Sequence, residues 1–63
     1  MITIKVQFDE YGDYGLFFHR PFMKGFTQIA AYSSASRAVA EANRLQPLYT
    51  KAVVVVSDDI YNG

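Results

Sequence analysis

The sequence predicts an α+β domain of two layers, one four-stranded sheet with a single helix on one face, in the order β-β-β-α-β. Three observations carry that expectation. Ile2, Ile4, Val6 and Phe8 alternate strictly with Thr3, Lys5 and Gln7, the period-2 mark of a half-buried strand. Between Ser33 and Pro47, Ala35, Ala38, Val39, Ala42 and Leu45 recur at helical spacing on one side. The stretch Lys51–Ser57 reads as a continuous, β-branched strand with little polar surface to show.

The elements follow in order. After the first strand, Asp9 to Gly15 is turn chemistry, with two glycines and three acids. A second strand from Tyr14 to Arg20 closes a hairpin, with Leu16 and Phe18 facing inward and Phe17 and His19 facing the other way. Pro21 lacks a backbone donor and suits a strand end, and Gly25 gives the following connection a permissive backbone. A third strand spans Phe26 to Tyr32. Ser33 or Ser34 then caps the helix, Arg37, Glu41 and Arg44 line its outer side, and Pro47 stops it. The third and fourth strands, joined by the helix, read as a βαβ unit. Lys51 and the Asp58–Asp59 pair flank the valine run as charged gatekeepers, and Asp58 to Gly63 is a short tail.

With 63 residues the chain is one domain. A core of this size supplies only about 3–5 kcal/mol, so small domains lean on a further staple. The sequence has no cysteine and one histidine, which excludes disulfides, thiolate metal sites and multi-histidine sites. Oligomerisation or docking on a partner is the staple that is left. Apolar residues make up 51% and charged residues 19%, which is a folding composition and not a disordered one. The formal net charge is zero. That argues against a nucleic-acid mimic and against a nonspecific nucleic-acid binder. The N-terminus enters a strand pattern directly, without the basic and apolar regions of a signal peptide, and no apolar run is long enough to span a bilayer. The expected setting is the cytoplasm, away from membranes.

One helix covers one face of a four-stranded sheet, and this helix is lined mostly with alanine. The large residues of that layer come from the sheet: Ile4, Val6, Phe8, Leu16 and Phe18. The remaining apolar residues have no second helix to meet. Phe17 points away from the helix, as do two of the four valines Val53–Val56, and one parity of the third strand joins them. Phe22 and Met23 sit in a connection, where a bulky apolar pair is unusual. An exposed apolar patch of more than a few hundred Å² marks an interaction site. The expected partner-binding residues are therefore Phe17, His19, Phe22, Met23, Phe26 and Tyr32, with Arg20 and Lys24 as a polar rim. The expected occupant is another protein; a second copy of the chain is the alternative.

Catalytic chemistry finds no support. His19 has no nucleophile near it in sequence, and Ser33 and Ser34 read as caps. Asp9, Glu10 and Asp13 cluster at a turn without the spacing of a calcium loop, and Asp58–Asp59 reads as a polar strand end. No phosphate-binding glycine motif is present. No enzyme activity, metal or cofactor is expected. His19, Arg20 and Lys24 among aromatics could form a stacking surface for RNA or DNA, extended by Arg37, Arg44 and Lys51. The zero net charge and the acids of the neighbouring turn speak against it.

Several of these positions also carry a family resemblance. Asp13-Tyr14-Gly15, Phe18, the Pro21-to-Gly25 connection, Thr27, and Ser34 with Ala38 and Ala42 resemble the N-terminal domain of HicB-type antitoxins. That resemblance implies a partial RNase H-like fold in the order β-β-β-α-β and a noncatalytic domain that neutralises a protein partner. The position after the first proline, acidic in that family, is Phe22 here. The 63 residues hold no DNA-binding domain, so a repressor role is not implied. In style the chain is also similar to small phage-encoded inhibitors of host or defence proteins. Both likenesses imply a stoichiometric inhibitor or antitoxin-like module that acts by occluding a larger protein.

Overall fold

A computed structural model describes residues 1–58 and Ile60. Four strands, β1 (Ile2–Phe8), β2 (Tyr14–His19), β3 (Thr27–Tyr32) and β4 (Ala52–Val56), form one sheet in the order β3-β2-β1-β4. One helix, α1 (Ala35–Leu45), lies between β3 and β4 in the chain and runs into a 3-10 turn at Gln46–Leu48. This is the two-layer β-β-β-α-β arrangement that the periodicities predict.

β1 and β2 form the antiparallel hairpin, with Ile4 opposite Phe18 and Val6 opposite Leu16. The turn between them is built on Asp9. Its Oδ1 accepts the backbone N–H groups of Tyr11 and Asp13, both at 2.9 Å, and the Asp9 N–H donates to the Asp13 carbonyl at 2.9 Å. Gly12 sits at φ +85°, a left-handed conformation that a side chain would resist.

β3 is antiparallel to β2 and carries an irregularity. Leu16 pairs with Ala30, whereas Phe17 pairs with Gln28, so Ile29 is the extra residue of a bulge. The bulge lets Ala30 stay on the helix side with Leu16 while Gln28 turns to the opposite side with Phe17. The strand begins at Thr27, one residue later than the sequence pattern suggests, and β2 ends at His19, one residue earlier.

The crossover is longer than a simple βαβ unit. The helix carries the chain across the sheet, and β4 pairs in parallel with β1, not with β3. β3 and β4 run in the same direction but form the two opposite edges. β1 is thus a central strand with β2 on one side and β4 on the other; its inward Ile4 and Val6 are fully buried, whereas Phe8, expected to fill the same layer, is 39% exposed at the strand's end.

The core lies between the sheet and α1. Ile4, Val6, Leu16, Phe18, Ala38, Ala42 and Ala52 are buried, and Ile2, Tyr14, Ala30, Tyr32, Val39, Leu45, Tyr49, Val54, Val56 and Ile60 pack around them. Ile4, Val6 and Leu16 are the largest fully buried side chains. Each contributes about 1.5–3 kcal/mol relative to exposure. Ala38 and Ala42, both 0% exposed, bring the helix backbone close to the sheet. Phe18 meets Tyr49 edge to face, with ring centroids 5.1 Å apart.

Two local expectations differ in detail. Ser34 occupies the N-cap position with an extended backbone, but its side chain caps no helical N–H. Its Oγ lies 2.9 Å from the Ser36 Oγ instead. Glu41, within reach of two arginines in principle, pairs with Arg44. That guanidinium holds the Glu41 carboxyl below the usual carboxylate range, and Glu41 raises Arg44 in turn.

Candidate protein-binding face

The second face of the sheet carries no helix among the described residues. Alternation puts Thr3, Lys5 and Gln7 of β1, Gly15, Phe17 and His19 of β2, and Val53 and Val55 of β4 on this side. Strand register then sets the neighbours. Lys5 stands opposite Phe17 on one flank and Val55 on the other, and Thr3 stands between His19 and Val53. Gln28 joins the first of these rows through the bulge.

Phe17, predicted to point away from the helix, does so, and it lies down instead of standing up. A Cβ placed on Gly15 would come within 2.7 Å of the Phe17 ring and 2.8 Å of the Gln28 amide nitrogen. Gly15 is therefore the floor on which the Phe17 ring and the Gln28 amide rest. Gln28 Nε2 donates to Asp9 Oδ2 at 2.8 Å, tying the β1–β2 turn to edge strand β3. This bond leads the causes that lower the Asp9 carboxyl from its ordinary value, with the backbone bonds from Asp13, Tyr11 and Gly12 also lowering it and desolvation opposing them.

Phe26 reaches the same face from the start of β3. Its ring lies 5.3 Å from the His19 ring at 44°, and the Lys5 ammonium lies 5.5 Å from its centroid. The ring is 45% exposed, and Val53 and Val55 are 43% and 41% exposed. The face therefore has an apolar flank on β4, an aromatic flank at Phe17, His19 and Phe26, and Lys5 between them. Lys5 was legible as an outward strand residue, but only the structure places it over an aromatic ring.

The other expected contact residues separate into two groups. Arg20, Phe22, Met23 and Lys24 belong to the connection between β2 and β3, where Met23 donates its N–H to the Arg20 carbonyl at 3.0 Å. Phe22 is 100% exposed. Arg20 and Lys24 are exposed and Met23 is half-buried. Tyr32 lies elsewhere. It pairs with Tyr14 and packs against the core on the helix side, so it does not share a face with Phe17 and Phe26. The sequence pattern put Tyr32 on one parity with Phe26, and the bulge at Ile29 separates the two.

For chemistry the arrangement offers little. Among the described residues no group of three or more His, Asp or Glu side chains could hold a metal ion. Both carboxylate oxygens of Asp9 serve the turn and Gln28. Asp58 is exposed beyond β4, and Asp59, its companion in the gatekeeper reading, lies outside the described residues. A shallow hollow beside α1, lined by Ala35, Ser36, Val39, Ala40, Asn43 and Ile60, is mostly apolar and lies apart from the sheet face. No helix among the described residues is long and apolar enough to cross a membrane. No family model matches the chain, and no curated protein or solved structure matches it.

Proposed function

We propose that this chain is a noncatalytic protein-binding module that docks on a larger protein through its uncovered sheet face, in the manner of a stoichiometric inhibitor or an antitoxin-like neutraliser. The observation that carries the reading is the apolar content of that face. Val53, Val55 and Phe26 each leave two-fifths or more of their surface open, while helix α1 is committed to the other side. Phe22, fully open in the adjoining connection, supplies a free aromatic anchor. Arg20 and Lys24 beside it, together with Lys5 on the face, suit a partner surface that is apolar at its centre and acidic at its margin. The HicB-type resemblance between Asp13 and Ala42 agrees in kind, and the similarity in style to phage-encoded inhibitors of host or defence proteins points to the same class.

The test is capture from a bacterial lysate by the immobilised chain, with nuclease-treated and high-salt arms. A protein retained in near-equal amount after both treatments is the expected result. A signal lost to nuclease, or single-stranded RNA binding that falls steeply with salt, would move the reading to an RNA-binding module.

A further inference from the structure

The free edge of β4 is a second surface, distinct from the sheet face. We propose that it pairs with the β4 edge of a second copy of this chain, antiparallel about a two-fold axis centred on Val54, so that two sheets join into one of eight strands.

The Ser57 N–H donates to the Val6 carbonyl at 2.9 Å, continuing the β1–β4 ladder past the end of the strand. In a strand the peptide groups of alternate residues point to the same side. Val53 and Val55 therefore direct their N–H and C=O groups at β1, and Ala52, Val54 and Val56 direct theirs at the open edge. An independent contact agrees: the Ala52 carbonyl is reached by the Gln46 side-chain amide, at 3.1 Å, and not by β1. Gln46 takes one lone pair of that carbonyl, and the second is left for another donor. The outward N–H and C=O groups of Val54 and Val56 have no partner among the described residues.

Between the flanking charges of Lys51 and Asp58, the rest of the edge carries no guard of its own. Strands at sheet edges are blunted by charges, prolines or bulges. β3, the other edge, has a bulge at Ile29. Ala52–Val56 has none of the three. Its outward groups match themselves when a copy is turned antiparallel about Val54. Val54 then faces Val54 of the copy, and Ala52 faces Val56, so each outward residue meets an outward residue. In an antiparallel pair these are the positions that exchange hydrogen bonds. Val53 meets Val55 of the copy on the uncovered sheet face, apolar against apolar. The charges agree as well. Lys51 precedes the strand and Asp58 follows it, both exposed. The antiparallel arrangement brings each Lys51 end to an Asp58 end, twice by symmetry, whereas a parallel one would set like charges together. This pairing does not depend on the partner protein proposed above, because it uses the rim of the sheet.

The experiment is a dilution series by sedimentation equilibrium, joined to amide hydrogen exchange at two protein concentrations. The expected mass rises from 7.1 kDa toward twice that value and stops there. The Val54 and Val56 amides gain protection with concentration, while those of Val53 and Val55, already bonded to β1, do not change. Lys51→Asp turns two attractions into two repulsions and raises the dissociation constant roughly tenfold. Lys51 has φ +57°, a conformation that aspartate tolerates. The K51D/D58K double variant restores association. A monomer at every concentration overturns the proposal, as do masses that climb past the dimer. A dimer whose Val54 and Val56 amides are indifferent to concentration overturns it too. Lysate capture of a foreign protein is a separate readout and survives or fails on its own.

Discussion

Asp9 is the residue whose role the sequence conceals most. Counted with Glu10 and Asp13 it looks like one acid of a solvated turn. In the structure it accepts two backbone N–H groups with one oxygen and the Gln28 amide with the other, so a single carboxylate shapes the hairpin turn and fastens β3 to it. Those bonds favour the charged form and lower its pKa. The folded-state value is then below the unfolded one. The stabilisation is complete above the unfolded value and disappears as pH falls through the lowered folded value. Thermal melts from neutral pH into the acid range should accordingly show D9N below the wild type at neutral pH, with the gap closing as the wild-type carboxyl protonates. A gap that is constant with pH would mean that Asp9 acts through shape and not through charge. Nothing in the local sequence pairs Asp9 with Gln28, because the two are 19 residues apart and meet only when the bulge turns Gln28 outward.

At the scale of elements, the strands and the helix were legible because each satisfies its own period. Ile4 and Val6 are both at 0% exposure, where the alternation put them, and Ala38 and Ala42 are the buried stripe of the helix. What the periods could not convey was which strand β4 would join. A β-branched run fits either edge of a sheet, and the choice of β1 over β3 depends on how far the helix carries the chain. The third strand shows a different limit. Simple alternation puts Phe26, Ala30 and Tyr32 on one side, and a one-residue bulge turns Phe26 away while Ala30 and Tyr32 pack inward. The helix makes its own prediction. Ala42 has no exposed surface against the sheet, so the helix position depends on the small side chain. Ala42→Leu should destabilise by about 1–3 kcal/mol through overpacking, read as a lower urea midpoint. An unchanged midpoint would mean that the layer between helix and sheet has spare room.

For the molecule as a whole, the alanine-lined helix α1 covers one side of the sheet, and the far side mixes the partly open Val53, Val55 and Phe26 with Thr3, Lys5 and Gln7. The domain reduces that surface from within by laying Phe17 over Gly15 and by folding Phe26 between His19 and Lys5. Val53, Val55, Phe22 and much of Phe26 are still open after these adjustments. The direction of Phe17 was readable from strand parity, but its collapse onto Gly15 was not. A glycine in a strand signals a close approach without saying what approaches. In this account the uncovered face and its adjoining connection serve binding and add little to folding.

The most direct measurement uses the F22S/F26S double variant, whose positions lie before edge strand β3, across the sheet from β4. Its melting temperature and its retention of the captured partner are compared with those of the wild type. The account predicts a melting shift below about 5 °C, because only the exposed contacts of Phe26 with Lys5 and His19 are lost, together with loss of the partner. A variant that melts far lower, or one that is equally stable and still retains the partner in full, would contradict it.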